Sequence, residues 1–179
     1  AAVYSEIRTS INEKSTAMIE EIEEKYKAVK NTDNGESGEQ DFSEIIASLD
    51  SVISKYKNYY AGQRALFIKA DIFFNQKSFD TAAETYKILA ERYSDAYLAP
   101  IALTNAAISH EEAGEIDSAI DQYKSVYEKY KGEYPDIPRI LFSIARLYES
   151  QENYQEAADY YTILISSYTN SDWTNLARN

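Results

Sequence analysis

Three columns of bulky side chains recur four times along this chain, and that repetition limits the fold more than any other feature. Phe42, Phe79, Ile116 and Tyr154 stand 37, 37 and 38 residues apart. Seven positions after each come Leu49, Tyr86, Tyr123 and Tyr161, and seven further on Tyr56, Tyr93, Tyr130 and Tyr168. A seven-residue step is two helical turns, so each set marks one face of a helix. Ala82, Ala119 and Ala157 share the column three residues after the first, where a larger side chain would hold two helices apart.

A second helix precedes each of these. Residues 65–75, 101–113 and 140–150 are apolar-rich with a helical period, and each places a small residue in one column: Ala70, Ala107 and Ala145. Short polar turns join the two helices of a pair, namely Gln76-Lys77-Ser78, Gly114-Glu115 and Gln151-Glu152-Asn153. Asn153 with Glu156, and Asp41 with Glu44, have the spacing of capping boxes. Pro100 and Pro138 share a column at helix starts, where a missing N–H costs nothing. Helix pairs repeated at this period bury their apolar faces against their neighbours, which predicts an all-α, right-handed α-solenoid of stacked helix-turn-helix units.

The order of small residue, turn, bulky residue, Ala and aromatic resembles the tetratricopeptide repeat. Ala107-x6-Gly114-x-Ile116-x2-Ala119-x3-Tyr123 and Ala145-x8-Tyr154-x2-Ala157-x3-Tyr161 carry the resemblance, which covers residues 60–170. Lys69 stands where the family usually has Leu, the late Pro of the motif is missing, and the period exceeds the usual value of about 34 residues. The longer period and Tyr-rich helix ends such as Glu91-Arg92-Tyr93-Ser94-Asp95-Ala96-Tyr97 resemble bacterial cell-envelope members, of the β-barrel assembly lipoprotein and Tol–Pal coordinator kind. That resemblance implies a periplasmic or envelope location, with an anchor expected upstream of residue 1; a cytoplasmic adaptor is the alternative.

Composition narrows the chemistry. The formal net charge of -12 opposes nucleic acid and anionic membrane surfaces, and no basic patch offsets it. The absence of cysteine removes disulfides, thiolate catalysis and thiolate metal sites. No apolar run reaches the length of a membrane span, so no membrane insertion by this segment is expected. Only 5 Gly and 3 Pro in 179 residues suit long helices with short connections. The 17 Tyr supply rings that pack while their hydroxyls stay near water.

Outside the repeats, residues 1–30 read as one long amphipathic helix with a stripe at Tyr4, Ile7, Ile11, Met18, Ile22, Tyr26 and Val29. The stripe suits packing on the first repeat, or a homodimer contact. Residues 31–40 read as a polar, flexible loop, residues 41–170 as the repeat array, and residues 171–179 as the start of a C-terminal capping helix introduced by Ser171 or Asp172. The natural chain is expected to run on past it.

Chemical sites are scarce. His110, the single histidine, falls in a column with Phe73 and Tyr148, so packing is its expected role. Asp33-x-Gly35-x-Ser37-Gly38-x2-Asp41-x2-Glu44 has a calcium-loop outline, yet glycine occupies a ligand position, so a linker is the expectation. The run from Glu20 to Glu24 reads as a solvated helix face. No catalytic residue, metal or cofactor is expected. The resemblance does imply a binding face, because the first helix of each pair lines the concave surface in this family. Carried over by column, that face comprises Phe67, Asp71 and Phe74, then Thr104, Ile108 and Glu111, then Phe142, Arg146 and Glu149. The implied partner is a peptide or helical segment of another protein.

Overall fold

The computed structural model describes residues 2–31 and 41–178, except the side chains of Ala2 and Tyr4; among them it is all-helical, with no strand. The calcium-like outline falls mostly on residues 32–40, which lie outside the described residues, as does the Tyr4 side chain of the expected stripe. In order, the helices are α1 (Ala2–Asn31), α2 (Ser43–Lys55), α3 (Tyr60–Asn75), α4 (Phe79–Arg92), α5 (Leu98–Ala113), α6 (Ile116–Tyr130), α7 (Ile137–Ser150), α8 (Tyr154–Ser167) and α9 (Asp172–Ala177). They form two compact units, one ending at Thr85 and the other beginning at Tyr86, so the division falls inside α4.

In the first unit α1 packs against α2 and α3. Ile19, Ile22 and Tyr26 of α1 meet Phe42, Ile45, Leu49 and Val52, and Ala61, Ala65, Ile68 and Ile72 complete the core. Tyr26 and Phe42 meet edge to face at 5.7 Å. Ile22 and Tyr26 of the expected stripe are buried and Val29 packs against the same core, but one position of the stripe slips by a residue. Ile19 is 1% exposed, whereas Met18 is 41% exposed. Positions 15, 19, 22, 26 and 29 follow the true 3.6-residue turn, and the neighbouring helices select that line. Val3 and Ile7 of the same helix stay exposed. The turn from α2 into α3 depends on Gly62, where a Cβ would lie 2.5 Å from the backbone oxygen of Tyr56. No rotamer could relieve that contact.

In the second unit α5 pairs with α6, α6 with α7, and α7 with α8, while α9 rests on α7 and α8. The alanine columns lie at the helix contacts: Ala82, Ala119, Ala70, Ala107 and Ala145 are fully buried and Ala157 nearly so. Each turn within a pair places one residue in the left-handed region, at Lys77 (φ 59°), Gly114 (φ 78°) and Glu152 (φ 61°). Only Gly114 adopts it without a steric cost. These residues recur at the repeat spacing, so the turn geometry repeats even where the residue type does not. At Gly114 the N–H bonds to Glu111 O, and Glu115 N–H reaches back to His110 O, which closes α5.

Helix starts only partly follow expectation. Ser171 caps α9 by accepting the Trp173 N–H at 3.3 Å. Asp41 accepts the Ser43 N–H at 2.9 Å and also the Ser43 hydroxyl, but Glu44 returns no bond to complete a box. The Asn153 side chain makes no cap bond on α8 and leans instead toward Gln151, at 3.5 Å. Pro138 occupies the first turn of α7, as its column implied.

Candidate partner-binding surface

The nine expected binding residues divide between the two units and meet different surroundings. In the first unit, the α3 face carrying Phe67 and Asp71 looks onto α1. Tyr26 donates its hydroxyl to Asp71 at 2.5 Å, Asn75 donates to the same hydroxyl oxygen at 2.8 Å, and Lys30 lies 3.6 Å from the carboxylate. Arg64 grips Glu23 of α1 through two bonds of 3.0 and 2.7 Å, and its guanidinium lies 5.5 Å from the Phe67 ring centre. The Arg64 pair holds the Glu23 carboxyl below its ordinary range, chiefly through the hydrogen bond. These contacts enclose a cleft of about 230 Å³ between α1 and α3. Phe74 packs edge to face on Phe79 across the turn into α4, with ring centres 5.4 Å apart.

In the second unit Thr104 is a correction. It is 1% exposed and its hydroxyl bonds to Pro100 O at 2.8 Å, so its side chain belongs to the core. Ile108 and Glu111 on the same helix face stay accessible, so the burial is local to Thr104, where the Tyr134 side chain meets it. The others remain partly or fully accessible. Glu111 of α5 accepts the Tyr123 hydroxyl at 2.6 Å and pairs on its other oxygen with Arg146 of α7. One turn from that pair lie Ile108 on α5 and Phe142 on α7, both half-buried. Phe142 is bracketed by Tyr161 at 5.8 Å and Trp173 of α9 at 5.3 Å. Glu149 accepts the Tyr161 hydroxyl at 3.1 Å. The aromatics expected to stand clear of the packing are therefore partly built into it.

Sequence reasoning missed the tie between the groove acids and the tyrosine column. Glu111 with Tyr123, and Glu149 with Tyr161, are both 12 residues apart. The acid at the end of one helix therefore accepts from the tyrosine midway along the next. Burial first, then the hydrogen bond to Glu111, pushes the Tyr123 phenol well above its ordinary range. Tyr161 is shifted the same way for the same reasons. His110 also turns out to bond, its Nδ1 lying 2.7 Å from Glu115 across the α5–α6 turn. Among the described residues no group of three or more His, Cys, Asp or Glu could hold a metal, and no helix is long and apolar enough to cross a membrane.

The sequence matches the tetratricopeptide-repeat family over residues 40–97 and 104–172, and the chain belongs to that family. It is similar to a TPR repeat-containing protein of Treponema pallidum (strain Nichols), at 27% identity over 135 residues. That match spans 75% of this chain but 56% of the relative, little more than half its length. In fold it is similar to the apo form of RapI, with a TM-score of 0.61 and 17% identity over 74% of this chain and 40% of RapI. It is likewise similar to the TPR-like repeats of a putative kinesin light chain from Podosopora anserina. There the TM-score is 0.55 at 14% identity, covering 92% of this chain and 93% of the other. At these identities the structural likeness is one of fold.

Proposed function

We propose that this chain is a non-enzymatic protein-interaction scaffold that receives a helical or extended partner segment on the face shared by α5 and α7. One observation carries the reading: exposed Arg146 pairs with the largely covered Glu111 and ties α5 to α7, and Ile108 and Phe142 lie one turn from that pair. A half-buried aromatic beside a charged pair gives a partner apolar area to cover and a polar group that fixes its register. In the first unit the matching α3 face already carries α1, whose side chains occupy Phe67 and Asp71 as a bound helix would. Family membership supports the scaffold role. Placement in a bacterial cell-envelope assembly rests on the 37-residue period and the Tyr-rich helix ends.

A photo-reactive residue at Arg146 should capture a discrete partner in cells of the source organism, whereas one at exposed Glu128 should not. Ile108→Ala with Arg146→Ala should abolish affinity capture of that partner and leave helicity unchanged. Equal capture from both positions, or undiminished capture by the double variant, would place the interaction elsewhere.

A further inference from the structure

Away from the α5–α7 face, the second unit has a cleft of about 450 Å³ where the segment between α4 and α5 meets the segment between α6 and α7. Tyr97, Tyr130 and Tyr134 line it together with Asp95 and Glu133. The Tyr130 hydroxyl donates to Ser94 O at 3.0 Å, which fixes that ring across the junction of the two segments. Tyr97 is 82% exposed, an open ring at the mouth. Among the described residues neither Asp95 nor Glu133 has a cationic partner. Both carboxylates lie close enough to Tyr130 to add to the effect of burial in raising its phenol above its ordinary range. Asp95 accepts the Ser94 hydroxyl, at 3.3 Å, and aromatic rings beside carboxylates that lack a cation attract an organic cation by two mechanisms at once.

A second cleft, of about 380 Å³, shares Ser94, Lys129 and Tyr130 with the first and continues between α4 and α6. The two adjoin at these residues and together leave room beyond a single amine for the chain that carries it. Lys129 stands at the junction and is the cation that such a ligand would have to pass.

We propose that this cleft binds an extended segment of a partner protein through a lysine or arginine side chain, its cationic head lying among Tyr97, Tyr130 and Tyr134 and against Asp95 and Glu133. The site is separate from the α5–α7 face and does not depend on the role given to that face.

The test is an amide NMR titration of the full chain with a blocked Ala-Ala-Arg-Ala-Ala peptide, its lysine and citrulline counterparts, and spermidine. Saturable shifts should fall on residues 94–97 and 129–136 for the two basic peptides and be absent for the citrulline peptide. Asp95→Asn with Glu133→Gln should weaken binding about tenfold, and Lys129→Ala should tighten it. The proposal is overturned if citrulline binds as well as arginine, if the double variant binds unchanged, or if no shifts saturate in these segments. Spermidine binding as tightly as the peptides would make this a small-amine site and refute a partner protein as the ligand.

Discussion

Tyr123→Phe and Tyr161→Phe remove the same atom from the same motif in two settings, so the pair measures what burial adds to a hydrogen bond. Tyr123 is 1% exposed and its hydroxyl lies 2.6 Å from a Glu111 oxygen that is itself largely covered. Hydrogen bonds to charged groups contribute about 1.5–3 kcal/mol, because the acceptor left behind is not fully rehydrated. Glu111 keeps its Arg146 partner after the substitution, which favours the middle of that range, about 2 kcal/mol. In a chain of this length each kcal/mol moves the melting temperature by about 2–4 °C, so Tyr123→Phe should melt about 4–8 °C lower. Tyr161 offers its bond at 3.1 Å to an exposed carboxylate that water can serve instead. Its loss should cost about 0.5 kcal/mol, within 2 °C. Thermal unfolding followed by circular dichroism at neutral pH is the assay. Equal losses, or a larger one for Tyr161→Phe, would refute the assignment of a buried, charge-assisted bond to Tyr123.

Two further outcomes follow from the core and from the phenols. Ala119→Leu, at a fully buried helix contact, should overpack and destabilise by about 1–3 kcal/mol; an unchanged denaturant midpoint would show that the alanine column does not mark the crossings. Burial raises the phenols of Tyr123, Tyr130, Tyr134, Tyr160, Tyr161 and Tyr168 above their ordinary 10.0. Above that pH the unfolded chain gains by ionising while the folded one resists, so stability is full below about pH 10 and falls as pH rises further. Tyrosinate absorbance and helicity should therefore change together at alkaline pH; complete tyrosine titration near pH 10 with helicity intact would contradict it.

What could be read in advance was whatever the repeats hold in common. The alanine columns predicted the helix crossings in the repeats from Phe79 onward, while Ile45 fills the same column in the first. The second bulky column turns inward at Leu49, Tyr86 and Tyr123, but Tyr154 of the first column stays 64% exposed. Where a position has no counterpart, the reading slipped. Helix α1 occurs once, so only its own spacing could set its buried line, and a heptad count chose Met18 where packing takes Ile19. Thr104 looked like a groove residue by column, but Tyr134, from the segment before α7, meets its side chain, a contact the column could not show. The 12-residue step from Glu111 to Tyr123 and from Glu149 to Tyr161 was visible in the letters. It went unread because the preceding repeat has Phe74 where the acid would be.

The tyrosine-lined cleft shows where this limit bears on function. Tyr97 and Tyr134 are 37 residues apart, and so are Tyr93 and Tyr130, so the rings belong to the repeat and report only that helix ends are sheltered. The acids do not repeat. Asp95 has Asn58 and Gly132 as its counterparts, and Glu133 has Tyr59 and Ala96. Two carboxylates from segments about one repeat apart in sequence come together on aromatic walls shared by both segments, and only folding brings them there. Periodicity thus locates the scaffold, while the residues that break it are where a partner would distinguish one repeat from the next. If Asp95 and Glu133 were solubilising charges alone, moving them off the cleft, with Asp95→Asn and Glu133→Gln offset by Asn58→Asp and Asn170→Glu at exposed positions outside it, would keep the net charge and leave the basic peptides' affinity unchanged. The cleft reading requires that affinity to fall with charge, fold and helicity held constant.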